Sequence, residues 1–265
     1  MSGRRLALLG VLLAALTSAA AARAPLTEAD ALEVSQAALG TVLPDLAFVD
    51  DAGRSVTLAA FRDRPLLVNL VYTACTDVCP TIIASLQPAI EEAQATLGRD
   101  SFAVVTVGFD ARGDSPSRMR SFARAQGVSL ANWHFLSGSA ETVQALSRAV
   151  GFTFYPSPAG FDHMAQVSIV DAEGRLYRQV YGGVFEPPAI VEPLKDLVLG
   201  RERSVWSTQG LIDRIRLICT VYNPNTGRYS FSYAIFIGIA VGGASLLLVL
   251  AFLIREWRRA RPGPA

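Results

Sequence analysis

Two short, almost continuously apolar runs constrain the fold of this chain more than any other feature. They are Pro65–Tyr72 (PLLVNLVY) and Ser101–Phe109 (SFAVVTVGF). Apolar runs without polar alternation are typical of strands buried on both faces, as in the centre of a parallel sheet. Parallel neighbours need a crossover connection, and we expect Pro80–Leu97, between the two runs, to be a helix that Pro88 kinks or ends.

Weaker patterns on either side extend this β-α-β unit. In chain order they predict a capped helix, a hairpin, a helix, a strand, a helix, a second hairpin and a final helix. The segments are Thr27–Ala38, Leu46–Val49 with Ser55–Leu58, Ser115–Gln126, Trp133–Leu136, Ser139–Val150, Gln166–Asp171 with Leu176–Tyr181, and Glu186–Leu199. The order predicts an α/β domain with a mixed sheet and helices on both faces, and it fits the thioredoxin-like fold.

The N-terminal residues 1–22 have the pattern of a bacterial secretory signal peptide. Arg4 and Arg5 precede an apolar run, and Ala20 and Ala22 provide a small-x-small cleavage site. The alternative is an N-terminal anchor that is not cleaved. Either interpretation predicts that the domain that follows crosses the membrane.

The segment 232–254 carries no charge and is long enough to cross the hydrocarbon core of a bilayer as one helix. The tail 255–265 is rich in arginine, so the positive-inside rule places it in the cytoplasm. We therefore expect residues 25–200 to form a domain in the periplasm, tethered to the bacterial inner membrane. Residues 201–231 would be a juxtamembrane linker with an amphipathic segment.

Composition narrows the classes of function. Lys+Arg 24 and Asp+Glu 23 leave a formal net charge of +1, so the chain has no basic excess for a nucleic-acid partner. Three cysteines are too few for a disulfide scaffold, and two histidines leave room for one metal site at most.

Cys75 and Cys79 lie directly after the first apolar run, in the sequence CTDVCP that opens the next predicted helix. If Cys79 begins the helix, both sulfurs can face one point, and the helix N-terminus favours thiolate over thiol. The pair allows three interpretations in an exported domain. It could be a structural disulfide, a thiol redox pair, or a metal site completed by another ligand.

His163 is the candidate third ligand, since two thiolates and an imidazole suit copper. It precedes the predicted strand Gln166–Asp171, and in a thioredoxin-like sheet that loop returns over the helix that begins near Cys79. A lone histidine is also commonly a surface or packed residue.

Further candidates each have a simpler structural explanation as well. Asp114 in particular could help to form a docking surface or could simply precede a helix that Ser115 caps. Cys219 could be a soft ligand, an intermolecular disulfide partner or an inert thiol. The other candidates are Asp77, Asp110, His134 and Met164.

Four motifs in this order resemble those of the SCO/SenC family. They are CTDVCP at 75–80, FDARGDSP at 109–116, WHFLSG at 133–138, and Asp-His at 162–163 before a strand and an Asp-Ala-Glu-Gly turn. The resemblance covers roughly residues 40–198. Members of that family are exported, membrane-anchored, thioredoxin-like proteins that bind Cu(I) or Cu(II) through two cysteines and a histidine. The resemblance implies that Cys75, Cys79 and His163 are the copper ligands here.

The resemblance also implies a function. The chain would be a copper metallochaperone for the dinuclear copper centre of cytochrome c oxidase, with an upstream copper donor protein and the copper-site subunit of a membrane oxidase as partners. The alternative is a thiol-disulfide oxidoreductase that keeps the oxidase cysteines, or other exported thiols, reduced; Cys75 would attack and Cys79 would resolve. The chain departs from the family pattern in its C-terminal span, in Met164, where the family usually has Ser or Thr, and in Pro88.

Overall fold

The computed structural model describes residues 27–76, 78–158, 160–200, 220–223 and 228–260. The helices are α1 (Glu28–Ala37), α2 (Val78–Leu97), α3 (Pro116–Ala125), α4 (Ala140–Ala149), α5 (Pro187–Gly200) and α6 (Ala234–Ala260), with a short 3₁₀ helix at Leu58–Phe61. The strands are β1 (Ala47–Asp50), β2 (Ser55–Thr57), β3 (Leu66–Val71), β4 (Ala103–Gly108), β5 (Trp133–Ser137), β6 (Phe154–Ser157), β7 (Gly160–His163), β8 (Gln166–Val170), β9 (Leu176–Tyr181), β10 (Thr220–Asn223) and β11 (Arg228–Phe231).

Seven strands form one mixed sheet in the order β2-β1-β5-β4-β3-β8-β9. The central strands β3, β4 and β5 are parallel, and β1 and β8 add antiparallel strands on either side of them. Every residue of β3, β4 and β8 is buried, so both faces of the sheet centre are covered. This is the thioredoxin-like fold, and the fold class predicted from the two apolar runs is confirmed.

The predicted helix starts are confirmed where local capping decides them. The Thr27 and Asp30 side chains form a capping box at the start of α1. Ser115 caps α3 by accepting a hydrogen bond from the Arg118 N–H, and Pro116 occupies the first helical position, where a missing N–H costs nothing.

The structure differs from one form of the prediction at Pro88, because the proline does not end the helix. Helix α2 continues from Val78 to Leu97 with the proline inside it. Both Pro88 and Ala84, whose carbonyl loses its helical partner, are exposed. Water can therefore satisfy that carbonyl, and the helix is retained.

The structure also contains a hairpin that the sequence does not predict. Strands β6 and β7 pair antiparallel, with Phe154 opposite His163. Two prolines and a glycine in this stretch are typical of a loop, which hides the pairing. His163 is consequently the last residue of a strand instead of part of a loop.

Near the C-terminus, α6 contains Phe236–Arg255, which is long and apolar enough to span a membrane, and its described side chains are exposed. The short hairpin of β10 and β11 precedes it. The predicted signal peptide, the amphipathic part of the linker and Cys219 lie outside the described residues. The division into exported domain, linker, span and tail stays a prediction.

Candidate metal centre

The two cysteines lie at the connection between β3 and α2. Cys75 is half-buried on the connecting loop, whereas Cys79 is fully buried in the first turn of the helix. The Cys79 N–H donates to Cys75 Sγ at 3.3 Å. Both are thiols and not a disulfide. The Cys75 sulfur therefore lies beside the first turn of the helix that carries Cys79.

Burial raises the pKa of the Cys79 thiol far above its ordinary value. A hydrogen bond from the Tyr72 N–H acts in the opposite direction, while Cys75 and Asp114 add to the increase. Burial therefore opposes the effect expected of the helix N-terminus, because loss of water disfavours the charged thiolate.

Asp114, on the loop between β4 and α3, forms hydrogen bonds with the cysteine loop. Its Oδ1 accepts hydrogen bonds from the Thr73 N–H and the Thr73 hydroxyl, both at 2.8 Å, and its Oδ2 accepts from the Asp110 N–H at 2.9 Å. A Cβ at residue 108 would lie 2.4 Å from Asp114 Cβ, so this close approach requires Gly108. Because Asp114 is only 3% exposed, it does not belong to a docking surface.

His163 lies at the end of β7 within a cluster of aromatic rings. Its ring centroid is 5.3 Å from that of Phe109 and 5.6 Å from that of Phe152. The Nδ1 atom is 3.4 Å from the Met164 carbonyl oxygen. Burial lowers the pKa of the imidazole and favours the neutral form, which is the form that binds metals.

Tyr72, which sequence reasoning missed, lies between the cysteines and His163. Its hydroxyl lies beside the start of β7, since a Cβ at residue 160 would be 2.9 Å from Tyr72 Oη. Burial raises the pKa of this hydroxyl. Its ring meets the His163 ring edge-on, with centroids 6.2 Å apart. The only signal in the sequence is its position, at the end of the apolar run just before Cys75.

Cys75 and His163 face different spaces on the protein surface. His163 lines a cavity of about 590 Å³ together with Tyr155, Asp162, Met164 and others. Cys75 opens onto a groove of about 340 Å³ beside α3, next to Arg118. Within the described parts of the chain, no three His, Cys, Asp or Glu side chains are grouped as a metal site.

The remaining candidates lie elsewhere. His134 is on β5 with its ring 5.0 Å from that of Phe61, and burial lowers its pKa. Met164 is half-buried beside His163. Asp77 and Cys219 lie outside the residues that the structure describes.

A comparison with protein families identifies the class of this chain. The model of the SCO1/SenC family matches residues 35–199, which include the cysteine loop, the Asp114 loop and His163. The chain therefore belongs to the SCO1/SenC family, and the resemblance inferred from its motifs is confirmed.

Individual relatives are distant in sequence. A SCO1 protein homolog of Bacillus subtilis is 24% identical over 147 residues, which cover 53% of this chain and 74% of the relative. A protein of Stutzerimonas stutzeri, described as copper-binding, is 25% identical over 139 residues, which cover 51% of this chain and 66% of the relative.

Solved structures show the same architecture. An electron transfer protein of Aquifex aeolicus has a TM-score of 0.57 and 27% identity, and the match covers 63% of this chain and 97% of that one. A SCO1/SenC family lipoprotein of Bacillus anthracis has a TM-score of 0.54 at 20% identity, over 60% of this chain and 96% of that one. The latter identity is too low to show more than the shared fold.

Proposed function

We propose that this chain is a membrane-tethered copper metallochaperone that assists assembly of the dinuclear copper centre of cytochrome c oxidase. Copper is its cargo, held by the sulfurs of Cys75 and Cys79 and by the imidazole of His163. The observation that carries the proposal is the hydrogen bond of 3.3 Å from the Cys79 N–H to Cys75 Sγ at the start of α2, in a chain of the SCO1/SenC family. The copper-binding description of a relative supports the choice of metal.

The unequal burial of the two sulfurs suits a transfer function. Cys79 is fully buried, while Cys75 is half-buried and lines a groove open to solvent. A thiol of an acceptor protein can approach through that groove and replace Cys75 as a ligand. The metal then leaves by ligand exchange, without a net change in its oxidation state.

His163 completes the set in this proposal. Its neutral imidazole can bind copper without first losing a proton at neutral pH. Since its ring lies against Tyr72 and not against the sulfurs, copper binding draws the end of β7 toward the cysteine loop.

The helix Phe236–Arg255 supports a tether in the bacterial inner membrane, with the globular domain in the periplasm and the tail in the cytoplasm. Confining donor and acceptor to one membrane raises their effective concentration for each other. The proposed partners are an upstream copper donor and the copper-site subunit of a membrane oxidase.

Copper binding by the full chain in detergent tests the proposal. We expect anaerobic Cu(I) titration to give one ion per chain with sulfur ligation in X-ray absorption. Affinity should fall at least tenfold in His163→Ala, since a ligand is lost. The matched control is His134→Ala, which should bind copper as the unmodified chain does. Equal affinities for His163→Ala and the unmodified chain would show that His163 is not a copper ligand. Failure of the unmodified chain to retain copper would overturn the proposal as a whole.

The second candidate is a thiol-disulfide oxidoreductase, favoured by the pairing of a half-buried and a buried cysteine. The Cys75 thiolate would attack a substrate disulfide and release one thiol. Cys79 would then displace the second thiol and leave a Cys75–Cys79 disulfide, which an external dithiol reductant must reduce again. Rapid reduction of a small-molecule disulfide, with a mixed disulfide trapped in Cys79→Ser and no retention of copper, would favour this function over the first.

A further inference from the structure

We propose that the groove beside Cys75 is a docking site for an acidic segment of the copper acceptor, and that Arg118 binds a carboxylate of that segment close to the incoming thiol. The inference rests on the proposed function, because it concerns the protein that takes copper from Cys75. It adds the chemistry by which that protein is recognised.

The groove lies between the cysteine loop, the start of α2 and one side of α3. Cys75 and Pro80 line it from the loop and from α2. The lining residues of α3 are spaced three or four apart, as residues on one side of a helix are. They are Arg118, Ser121, Phe122 and Ala125. Because Cys75 is half-buried here, a partner that reaches its sulfur along the groove also contacts this side of α3.

The stability of α3 does not explain an arginine at position 118. Arg118 lies in the first turn, three residues after the Ser115 cap. The N-terminal end of a helix carries a partial positive charge, so a cation there is unfavourable. Arg118 is exposed, and among the residues that the structure describes its guanidinium has no ion pair and no hydrogen bond. Its charge is therefore available to a partner.

The surroundings of Arg118 favour an acidic partner. Helix α3 carries Arg118, Arg120 and Arg124 and no acidic residue, although the net charge of the whole chain is only +1. The carboxyl of Asp114, just before the helix, points inward and accepts hydrogen bonds from Thr73. Within the described part of the chain, no Asp or Glu lines the groove. Charge complementarity therefore selects a carboxylate as the occupant next to Arg118.

The remaining groups in the groove suit an extended polypeptide. The side chains of Ser121 and Gln126 line it, and neither has a hydrogen-bond partner among the described residues. A hydroxyl and an amide can both donate to and accept from a peptide backbone. Phe122, which is 7% exposed, adds an apolar surface. Aromatic residues and arginine are enriched in the centres of protein interfaces.

The first test uses metal-free full chain in detergent, with Cys79→Ser and Cys219→Ser so that Cys75 is the only cysteine. The probes are two disulfides, dithiobis-nitrobenzoate, which carries a carboxylate on each ring, and uncharged dithiodipyridine. The Cys75 thiolate attacks one sulfur of the probe and forms a mixed disulfide. The other half of the probe leaves with the electron pair of the broken S–S bond, and its absorbance gives the rate.

We expect Arg118→Gln to lower the ratio of the two rates, acidic probe over neutral probe, by about three- to fivefold, as for the loss of one exposed ion pair. Arg118→Glu should lower it further, and high salt should reduce the difference between the variants. The matched control is Arg124→Gln. It removes the same charge from the same helix, but Arg124 is exposed and does not line the groove, so the ratio should stay unchanged.

The second test follows copper itself. The loaded chain, with all its cysteines, is mixed with a synthetic peptide that contains two cysteines and two glutamates, or with its glutamine counterpart. We expect faster transfer to the glutamate peptide. Arg118→Gln should abolish this advantage, and Arg124→Gln should retain it.

The outcomes separate this proposal from the proposed function. Equal losses in Arg118→Gln and Arg124→Gln would show a general attraction by α3 and no docking site. Equal slowing of both probes in Arg118→Gln would show that the arginine acts on the Cys75 thiol and not on a carboxylate. Either result overturns the docking site and leaves the copper site in place. If the chain retains no copper, the proposed function fails and the partner is not a copper acceptor, whereas the ratio of probe rates still decides whether Arg118 binds a carboxylate.

Discussion

Burial shifts the pKa values of Asp114 and His163 in opposite directions, and both shifts favour the neutral form of the side chain. It raises the pKa of the Asp114 carboxyl, although hydrogen bonds from Thr73 and Asp110 oppose the increase. It lowers the pKa of the His163 imidazole, although the Met164 carbonyl opposes the decrease. In both cases the low-polarity surroundings favour the neutral form.

We expect the stability lost in Asp114→Asn to depend on pH. Because the pKa of Asp114 is raised in the folded state, its favourable contribution is present in acid and is lost as the pH rises through the raised value. The deficit of Asp114→Asn should therefore be largest in acid and shrink toward neutral pH. Urea unfolding from about pH 4 to about pH 7 measures it.

The control for this series is Ser115→Ala on the same loop. It removes an uncharged cap and should cost about 1 kcal/mol at every pH. If the loss of stability in Asp114→Asn instead grew with pH, burial would not be disfavouring the carboxylate form of Asp114 in the folded protein.

His163 should titrate below the ordinary histidine value in the folded, metal-free protein. Since the unfolded chain binds this proton more readily, the corresponding stability is present at neutral pH and is lost as the pH falls through the ordinary value of about 6.5. Imidazole resonances in NMR, compared between folded protein and protein in urea, measure the difference. A folded-state midpoint equal to or above the value in urea would show that the ring is not desolvated.

Helix α2 shows how burial can override local propensity. Ile83, Leu86 and Ile90 are fully buried on one side of the helix, whereas Pro88 lies on the exposed side. The packing of the apolar side stabilises the helix before and after Pro88, and the carbonyl that the proline leaves without a partner is open to water. The helix therefore continues past the proline at which the sequence allows it to end.

We expect Pro88→Ala to raise the free energy of unfolding by about 1–3 kcal/mol, because it restores a helical hydrogen bond and removes a ring from the helix interior. Urea unfolding provides the measurement. Pro116→Ala is the matched control, since Pro116 is at the first helical position and should change stability little. A loss of stability in Pro88→Ala would mean that the proline relieves a strain in α2.

The whole chain combines the thioredoxin-like domain with a helix whose apolar side chains are exposed. Leu246 and Leu247, near the middle of the segment Phe236–Arg255, are 73% and 67% exposed. Exposed apolar surface on every side of a helix is unfavourable in water and favourable in lipid.

We expect the protein to stay in the membrane pellet after an alkaline wash, and the double variant Leu246→Arg with Leu247→Arg to be released. Each arginine near the middle of the span costs about 2.5–3.5 kcal/mol. The control, Leu246→Ala with Leu247→Ala, should remain in the pellet. Retention of the arginine variant would show that another part of the chain holds it to the membrane.

The fold was largely predictable because its signals are local. The uncharged runs that became β3 and β4 indicate strands buried on both faces, and Thr27 and Ser115 mark helix starts through their own hydrogen bonds. The β6–β7 hairpin was not predictable, since its prolines and glycine are typical of a loop and its position depends on contact with Tyr72.

For the candidate site, the sequence alone predicted that Cys75 lies close to Cys79, because only three residues separate the loop cysteine from the one that opens the helix. The tertiary structure decided that Tyr72 stands between Cys75 and His163, that Asp114 turns inward to hold Thr73, and that Cys79 is buried deeply enough to oppose its ionisation. These contacts join segments far apart in the chain. Their distances and solvent exposure arise only when strands and loops pack together, so no local pattern encodes them.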